Sequence, residues 1–239
     1  MSKVVIVTGA SRGIGLAVAR HLLTHSHNVV LVARSEAPLA ALKAEFPQQV
    51  AFTTADASDY SAPPRIVDLA VATFGRLDGL VINHGMLAPM TRLADANIDD
   101  WKKLYDINLF SALAFAKAAI PQLRETKGRI VLTSSGASLK GYTSWGAYGS
   151  SKAAANSLIQ HLAAEEPLIT SVAIGPGRVD TDMQAEIRST GGTVMDPKDY
   201  NGFVSAHEEG ILNPPEKPGE VIAKLSVDGQ SDVSGKYFK

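Results

Sequence analysis

Eight residues near the start of the chain, Thr8-Gly9-Ala10-Ser11-Arg12-Gly13-Ile14-Gly15, narrow the choice of fold more than any others. They follow the β-branched run Val4 to Val7 and open a segment rich in Ala, Val and Leu, the strand–loop–helix setting in which a pyrophosphate is bound. Gly9 permits a tight turn, Gly13 lets backbone approach a phosphate, and Gly15 lets the helix pack close to the strand. The N–H groups of the helix start, around Ser11, Arg12 and Ile14, face an anion favourably. The spacing is G-x-x-x-G-x-G, not G-x-G-x-x-G. On its own such a loop also reads as a structural turn, and the flanking strand and helix are what favour a nucleotide.

The rest of the chain repeats that alternation. Short apolar runs at Lys3–Thr8, Asn28–Ala33, Val50–Thr54, Gly79–Asn83, Gly128–Ser134, Thr170–Gly175 and Gly235–Phe238 read as about seven strands. Helical periodicity separates them at Gly13–His25, Ala37–Phe46, Pro63–Phe74, Asp99–Arg124 and Ala147–Glu165. This pattern predicts an α/β fold, a doubly wound parallel sheet of the Rossmann type with three αβα layers, in a single domain over residues 1–239. Gly177 to about Pro218 shows no clear period and is expected to be an irregular substrate lid. With 23 basic and 24 acidic side chains the net charge is −1, so no overall field draws in nucleic acid or an anionic membrane. A small-molecule partner follows. The chain has no cysteine, which removes thiolate metal sites, disulfides and cysteine nucleophiles. The histidines His21, His25, His27, His161 and His207 lack metal-ligand spacing, so no metal is expected. No apolar run reaches membrane-spanning length, and the N-terminus lacks a signal core, so a cytoplasmic protein is expected.

The second predicted strand ends in Ala33-Arg34-Ser35, without the carboxylate that would bind a ribose 2′-hydroxyl. Arg34 and Arg12 together suit a 2′-phosphate, which favours NADP(H) over NAD(H). Glu36 lies at a similar separation and keeps NAD use open.

Tyr148 and Lys152 are four residues apart and share a helix face, setting an ammonium beside a phenol and predicting a lowered phenol pKa. Ser135 follows the fifth strand, at the carboxyl edge where ligands of such sheets bind. A turn or N-cap role is open to it, as it is to Ser134 and Ser138.

Thr8-Gly9-x-x-x-Gly13-Ile14-Gly15, Asn83-His84-Gly85, Asn108, Ser135, Tyr148-x-x-x-Lys152 and Pro176-Gly177-Arg178-Val179-x-Thr181 resemble, in order and spacing, the short-chain dehydrogenase/reductase family. The resemblance covers about residues 3 to 183. Within the family it is similar to the fungal benzil reductases and their sepiapterin reductase relatives, through Gly85-Met86-Leu87, Ser134 to Ser138, Trp145-x-Ala147-Tyr148-Gly149 and Val179-Asp180-Thr181-x-Met183. It implies hydride transfer between a nicotinamide and a carbonyl or alcohol carbon. Tyr148 would be the general acid in reduction, Lys152 would hold the nicotinamide ribose, and Ser135 would hydrogen-bond the substrate oxygen. Asn108 would hold a water that links Lys152 to solvent. Pro176, Gly177, Val179 and Thr181 would line the nicotinamide half of the cofactor, while Asp56, Asn83 and Gly85 would lie along the rest of it. A homodimer or homotetramer built on the Asp99–Arg124 and Ala147–Glu165 helices is implied as well.

Two departures stand out. His84 replaces the usual Ala between Asn83 and Gly85, and packing or a backbone hydrogen bond is expected of it. Ser234 to Phe238 offers no counterpart of a pterin-anchoring carboxylate, which argues against a pterin. Met86, Leu87, Tyr142, Trp145 and Met183 are the expected apolar wall, suited to an aromatic ketone or α-diketone. Two alternatives are an NAD(P)-dependent alcohol or hydroxysteroid dehydrogenase and a nucleotide-sensing protein without turnover.

Overall fold

A computed structural model describes residues 2–229 and 231–239. Its centre is a seven-stranded sheet in the order β3-β2-β1-β4-β5-β6-β7, with every neighbouring pair parallel. The strands are β1 (Val4–Thr8), β2 (Asn28–Ala33), β3 (Val50–Thr54), β4 (Gly79–Ile82), β5 (Arg129–Thr133), β6 (Thr170–Ile174) and β7 (Tyr237–Phe238). Residues alternate between two cores. Val5 and Val7 of β1 point into one, with Val18, Leu22, Leu39 and Ile222; Val4 and Ile6 point into the other, with Ile66, Phe115 and Ile159. A strand apolar at every position is buried on both faces, which is why these runs lack a polar alternation.

The first core is covered by α1 (Gly13–Thr24), α2 (Glu36–Glu45) and α9 (Glu216–Val227), the second by α3 (Ala62–Phe74), α5 (Ser111–Thr126) and α6 (Gly146–Glu165). Because β1 pairs with both β2 and β4, the chain changes direction there and leaves a crevice at the carboxyl ends of the central strands.

Three expectations need correction. Asp99–Arg124 is not one helix: α4 (Ile98–Tyr105), capped by the Asn97 side chain, passes through a π-turn at Asp106–Phe110 into α5. The continuous period conceals a single widened turn, a feature frequent at functional sites. Gly177–Pro218 is not irregular, since α7 (Asp182–Thr190) and α8 (Pro197–Glu208) lie within it. Both are short and polar, with Ile187 buried in α7 and Phe203 in α8, so their periodicity is thin. Helix α9 went unread because Pro218 and Gly219 sit in its sequence; Pro is tolerated in a first turn, and a Cβ on Gly219 would run into Ala17 of α1.

Strand β7 is only two residues long and pairs Tyr237 with Ala173 of β6. The Tyr237 hydroxyl is buried against Gly175, where any Cβ would fall on it.

Candidate active site

The crevice is a cleft of about 980 Å³, and it gathers most of the residues singled out in the sequence. Gly9, Ser11, Arg12, Gly13, Ile14, Arg34, Asp56, Asn83 and Gly85 line one end; Ser135, Tyr148, Lys152, Pro176, Gly177, Val179 and Thr181 line the middle; Met86, Tyr142, Trp145 and Met183 line the other end. Three do not reach the lining. Gly15 packs under the loop, Asn108 is buried behind Met86, and Leu87, expected in the wall, lies in the core beneath it.

The loop at the nucleotide end is shaped by glycine. Gly9 (φ 65°) and Gly13 (φ 54°) occupy the left-handed region, and a Cβ on Gly15 would strike the Gly9 carbonyl and the Asn83 amide. Helix α1 has no side-chain cap and no acidic residue in its first turn, so its free N–H groups and positive dipole end remain for an anion. Arg34 lines the cleft and Glu36 does not. Arg12 is ion-paired with Asp182 at 2.5 Å, joining the loop to the first turn of α7. Asp56 accepts from the Ser58 hydroxyl and N–H, which hold its carboxyl below the usual range. These features fit a dinucleotide: an uncapped helix start, a loop that side chains would fill, and two guanidiniums beside it.

In the middle of the cleft the three serines separate by role. Ser135 Oγ accepts from Ala137 N at 3.2 Å, capping a short turn while facing the cleft. Ser134 and Ser138 are bound instead to the two ends of the Asn156 amide, at 2.6 and 2.8 Å. Tyr148 and Lys152 are both buried. Burial pushes the Tyr148 phenol up, against the lowering effect of the nearby Ser135 hydroxyl. The expectation of a phenol made acidic by its lysine is therefore corrected: burial dominates at Tyr148, and at Lys152 it pushes the ammonium down to about 8.

Asn108 occupies the π-turn. Its Oδ1 accepts from Met86 N at 2.9 Å, and its Nδ2 donates to Met86 O at 2.9 Å and to Ser151 Oγ at 3.1 Å. Gly85 is pinched between them, since a Cβ there would lie 3.2 Å from Asn108 Oδ1 and 3.4 Å from Lys152 Nζ. The Thr181 hydroxyl donates to Val179 O at 3.3 Å, and Val179 itself bridges to Asn213.

The far end is aromatic. Trp145 meets Tyr148 edge-on at 5.7 Å and lies 5.0 Å from Tyr142 and 5.3 Å from Phe203, centroid to centroid. Phe203 and Ile187, which sequence reasoning places in the lid but not in the wall, line the cleft from α8 and α7. The signal that would have placed Phe203 on a helix is the Asp196-Pro197 pair, an N-cap followed by a first-turn proline. Arg178 stacks 4.8 Å above the Phe203 ring and donates to Gly202 O at 2.6 Å, fastening α8 to the loop after β6.

Against known proteins, a model of the family described as short chain dehydrogenase matches residues 3–192. The chain is 37% identical over 252 residues to the benzil reductase ((S)-benzoin forming) of Saccharomyces cerevisiae, covering 100% of this chain and 96% of that one. Its fold superimposes on the crystal structure of a short chain dehydrogenase/reductase from Saccharomyces cerevisiae with a TM-score of 0.96, at 39% identity over 99% of this chain and 95% of that one. An alcohol dehydrogenase from the archaeon Thermococcus sibiricus, complexed with 5-hydroxy-NADP, gives 0.82 at 27% identity over 100% and 96%. The chain is thus an oxidoreductase and belongs to the short chain dehydrogenase family.

Proposed function

We propose that the protein is an NADPH-dependent carbonyl reductase that delivers hydride to an aromatic ketone or α-diketone, with Tyr148 as general acid. The observation that carries this reading is the convergence of Ser135, Tyr148 and Lys152 beneath an aromatic wall within one cleft. A bound dihydronicotinamide supplies the hydride. The chain supplies the proton and the positioning. With the Ala137 amide already donating to its oxygen, the Ser135 hydroxyl is free to donate to the substrate carbonyl. Tyr148 gives its proton to the same oxygen as negative charge develops there. A phenol held protonated by burial is suited to be an acid, and Lys152 keeps a cation 5.9 Å from the ring when the phenolate forms.

NADPH is favoured by Arg34, which lines the cleft where Glu36 does not, and by the NADP analogue in the Thermococcus alcohol dehydrogenase. Similarity to benzil reductase and the rings of Tyr142, Trp145 and Phe203 favour a flat aromatic substrate. Helices α7 and α8 act as the lid over that substrate, in the span Gly177–Pro218. Exposed Phe110 and Leu113, on the α4–α5 side, support self-association as a dimer or tetramer.

The test follows NADPH absorbance with benzil or 1-phenyl-1,2-propanedione. Turnover that falls by about 10²–10⁴-fold in Tyr148→Phe, with NADPH binding retained, is the expected result. Tight NADPH binding with no turnover on a broad carbonyl panel would favour a nucleotide-sensing protein instead.

A further inference from the structure

His84 belongs to no step of the proposed reaction, yet its half-buried ring sits at the centre of the site and touches both ends of it. Nδ1 is hydrogen-bonded to Thr8 Oγ1 at 2.8 Å, and Nε2 to Ser111 Oγ. The Ser111 hydroxyl also reaches Ile107 O at 2.8 Å and the Thr8 hydroxyl reaches Val81 O at 3.1 Å, so each hydroxyl ties one ring nitrogen to a backbone carbonyl. Thr8 also accepts from the backbone N–H groups of Asn83 and His84 at 3.0 and 3.4 Å and directly precedes the glycine loop. Ile107 directly precedes Asn108 in the π-turn. One imidazole therefore spans from the nucleotide loop to the turn that brackets Met86, and from there through Ser151 to the Tyr148 carbonyl at 2.8 Å.

We infer that His84 is a positioning residue: through Ser111 and the Ile107 carbonyl it fixes the π-turn, so that Asn108 holds Met86 and the Tyr148–Lys152 helix in working register with the glycine loop. Three observations support this. A π-turn lacks the regular ladder that would hold it by itself, and Ser111 closes it with a side-chain bond. The Phe115 ring lies 5.6 Å from the imidazole and holds it in place. Burial and Lys152 keep the ring uncharged, so it adds no second cation beside the lysine. An alanine at position 84 would leave the Thr8 and Ser111 hydroxyls facing a void.

The catalytic consequence rests on the reductase reading, whereas the bridge itself is measurable without turnover. Amide hydrogen exchange at Met86, whose N–H donates to Asn108, reports the π-turn directly. In His84→Ala the Met86 amide is expected to exchange at least about tenfold faster, with the β5 amides unchanged. Ser111→Ala, which removes one arm only, carries the same expectation should His84→Ala fail to fold. A Gln amide overlays the Nε2 position and an Asn amide the Nδ1 position, so His84→Gln restores slow exchange and His84→Asn does not. With benzil, kcat falls about tenfold or more in His84→Ala while the NADPH dissociation constant stays within about threefold, and His84→Gln recovers most of the loss. Unchanged Met86 exchange, or acceleration spread equally over β5, overturns the inference. Absence of carbonyl turnover in the unmodified protein removes the reductase reading alone, and Met86 exchange still decides the bridge.

Discussion

Lys152 Nζ passes 5.9 Å from the centroid of the Tyr148 ring and donates its hydrogen bond to the Thr133 carbonyl at 2.8 Å. The lysine is thus anchored to the end of β5, not to the phenol, and both groups are buried. Burial raises one pKa and lowers the other, so the same desolvation disfavours the charged form of both groups.

This has a measurable effect on stability. Lys152 falls from 10.5 to about 8 on folding, so between those pH values the unfolded chain binds a proton that the folded chain has released. Stability therefore rises with pH across that window, by up to about 3 kcal/mol, and the buried charge opposes folding at pH 7. Lys152→Met removes that penalty and costs about 1 kcal/mol for the lost Thr133 bond, so it should melt higher at pH 7 while losing turnover. Calorimetry across the pH range checks both the gain and the flattened slope.

His84 carries a dependence of the same sign in a lower pH window. Its pKa drops from 6.5 to about 4, so below pH 6.5 the unfolded chain takes up a proton that the folded ring refuses. From pH 7 to pH 5 this group alone removes about 2 kcal/mol of stability, and the loss is complete near pH 4. Urea titrations of the wild type and His84→Gln should differ at pH 5 more than at pH 7 in the size of that drop.

Gly15→Ala tests the loop. The added methyl meets the Gly9 carbonyl and the Asn83 amide, both fixed, so the first turn of α1 must move. Overpacking of this kind costs about 1–3 kcal/mol, and NADPH titration by fluorescence should show weakened binding together with a lower melting temperature.

Arg34→Ala addresses the choice of nucleotide. Loss of a charge-assisted bond to a 2′-phosphate is worth about 1.5–3 kcal/mol, so KM for NADPH should rise about 10–100-fold while KM for NADH changes little. A parallel rise for both cofactors would assign Arg34 a role away from the 2′-position.

The parts of this fold most legible in the sequence are those with a steep physical penalty for any other arrangement. Val4 to Val7 cannot sit in water, and Gly9, Gly13 and Gly15 mark positions where side chains are excluded, so strand, loop and first helix were readable together. Ser135, Tyr148 and Lys152 were readable because a motif fixes their spacing, and β5 and α6 bring them to one cleft. The roof was not. Phe203 and Ile187 are lone apolar residues on short polar helices, and only tertiary packing over Trp145 turns them inward. The π-turn was hidden too, because one extra residue in a turn leaves the apolar period of α4 and α5 nearly unbroken. Leu87 shows the converse error: an apolar residue beside a site is as readily its foundation as its wall.

The wedge of Tyr237 against Gly175 bears on how this protein can be re-engineered. At the carboxyl end of β6 a Cβ on Gly175 would have to displace the Tyr237 side chain, so the backbone that leads into Pro176 and Gly177 is packed tightly from below. Mutant libraries aimed at new substrates are therefore best spent on Met183, Ile187 and Phe203, whose helices lie outside the sheet, since any side chain at position 175 must first move Tyr237.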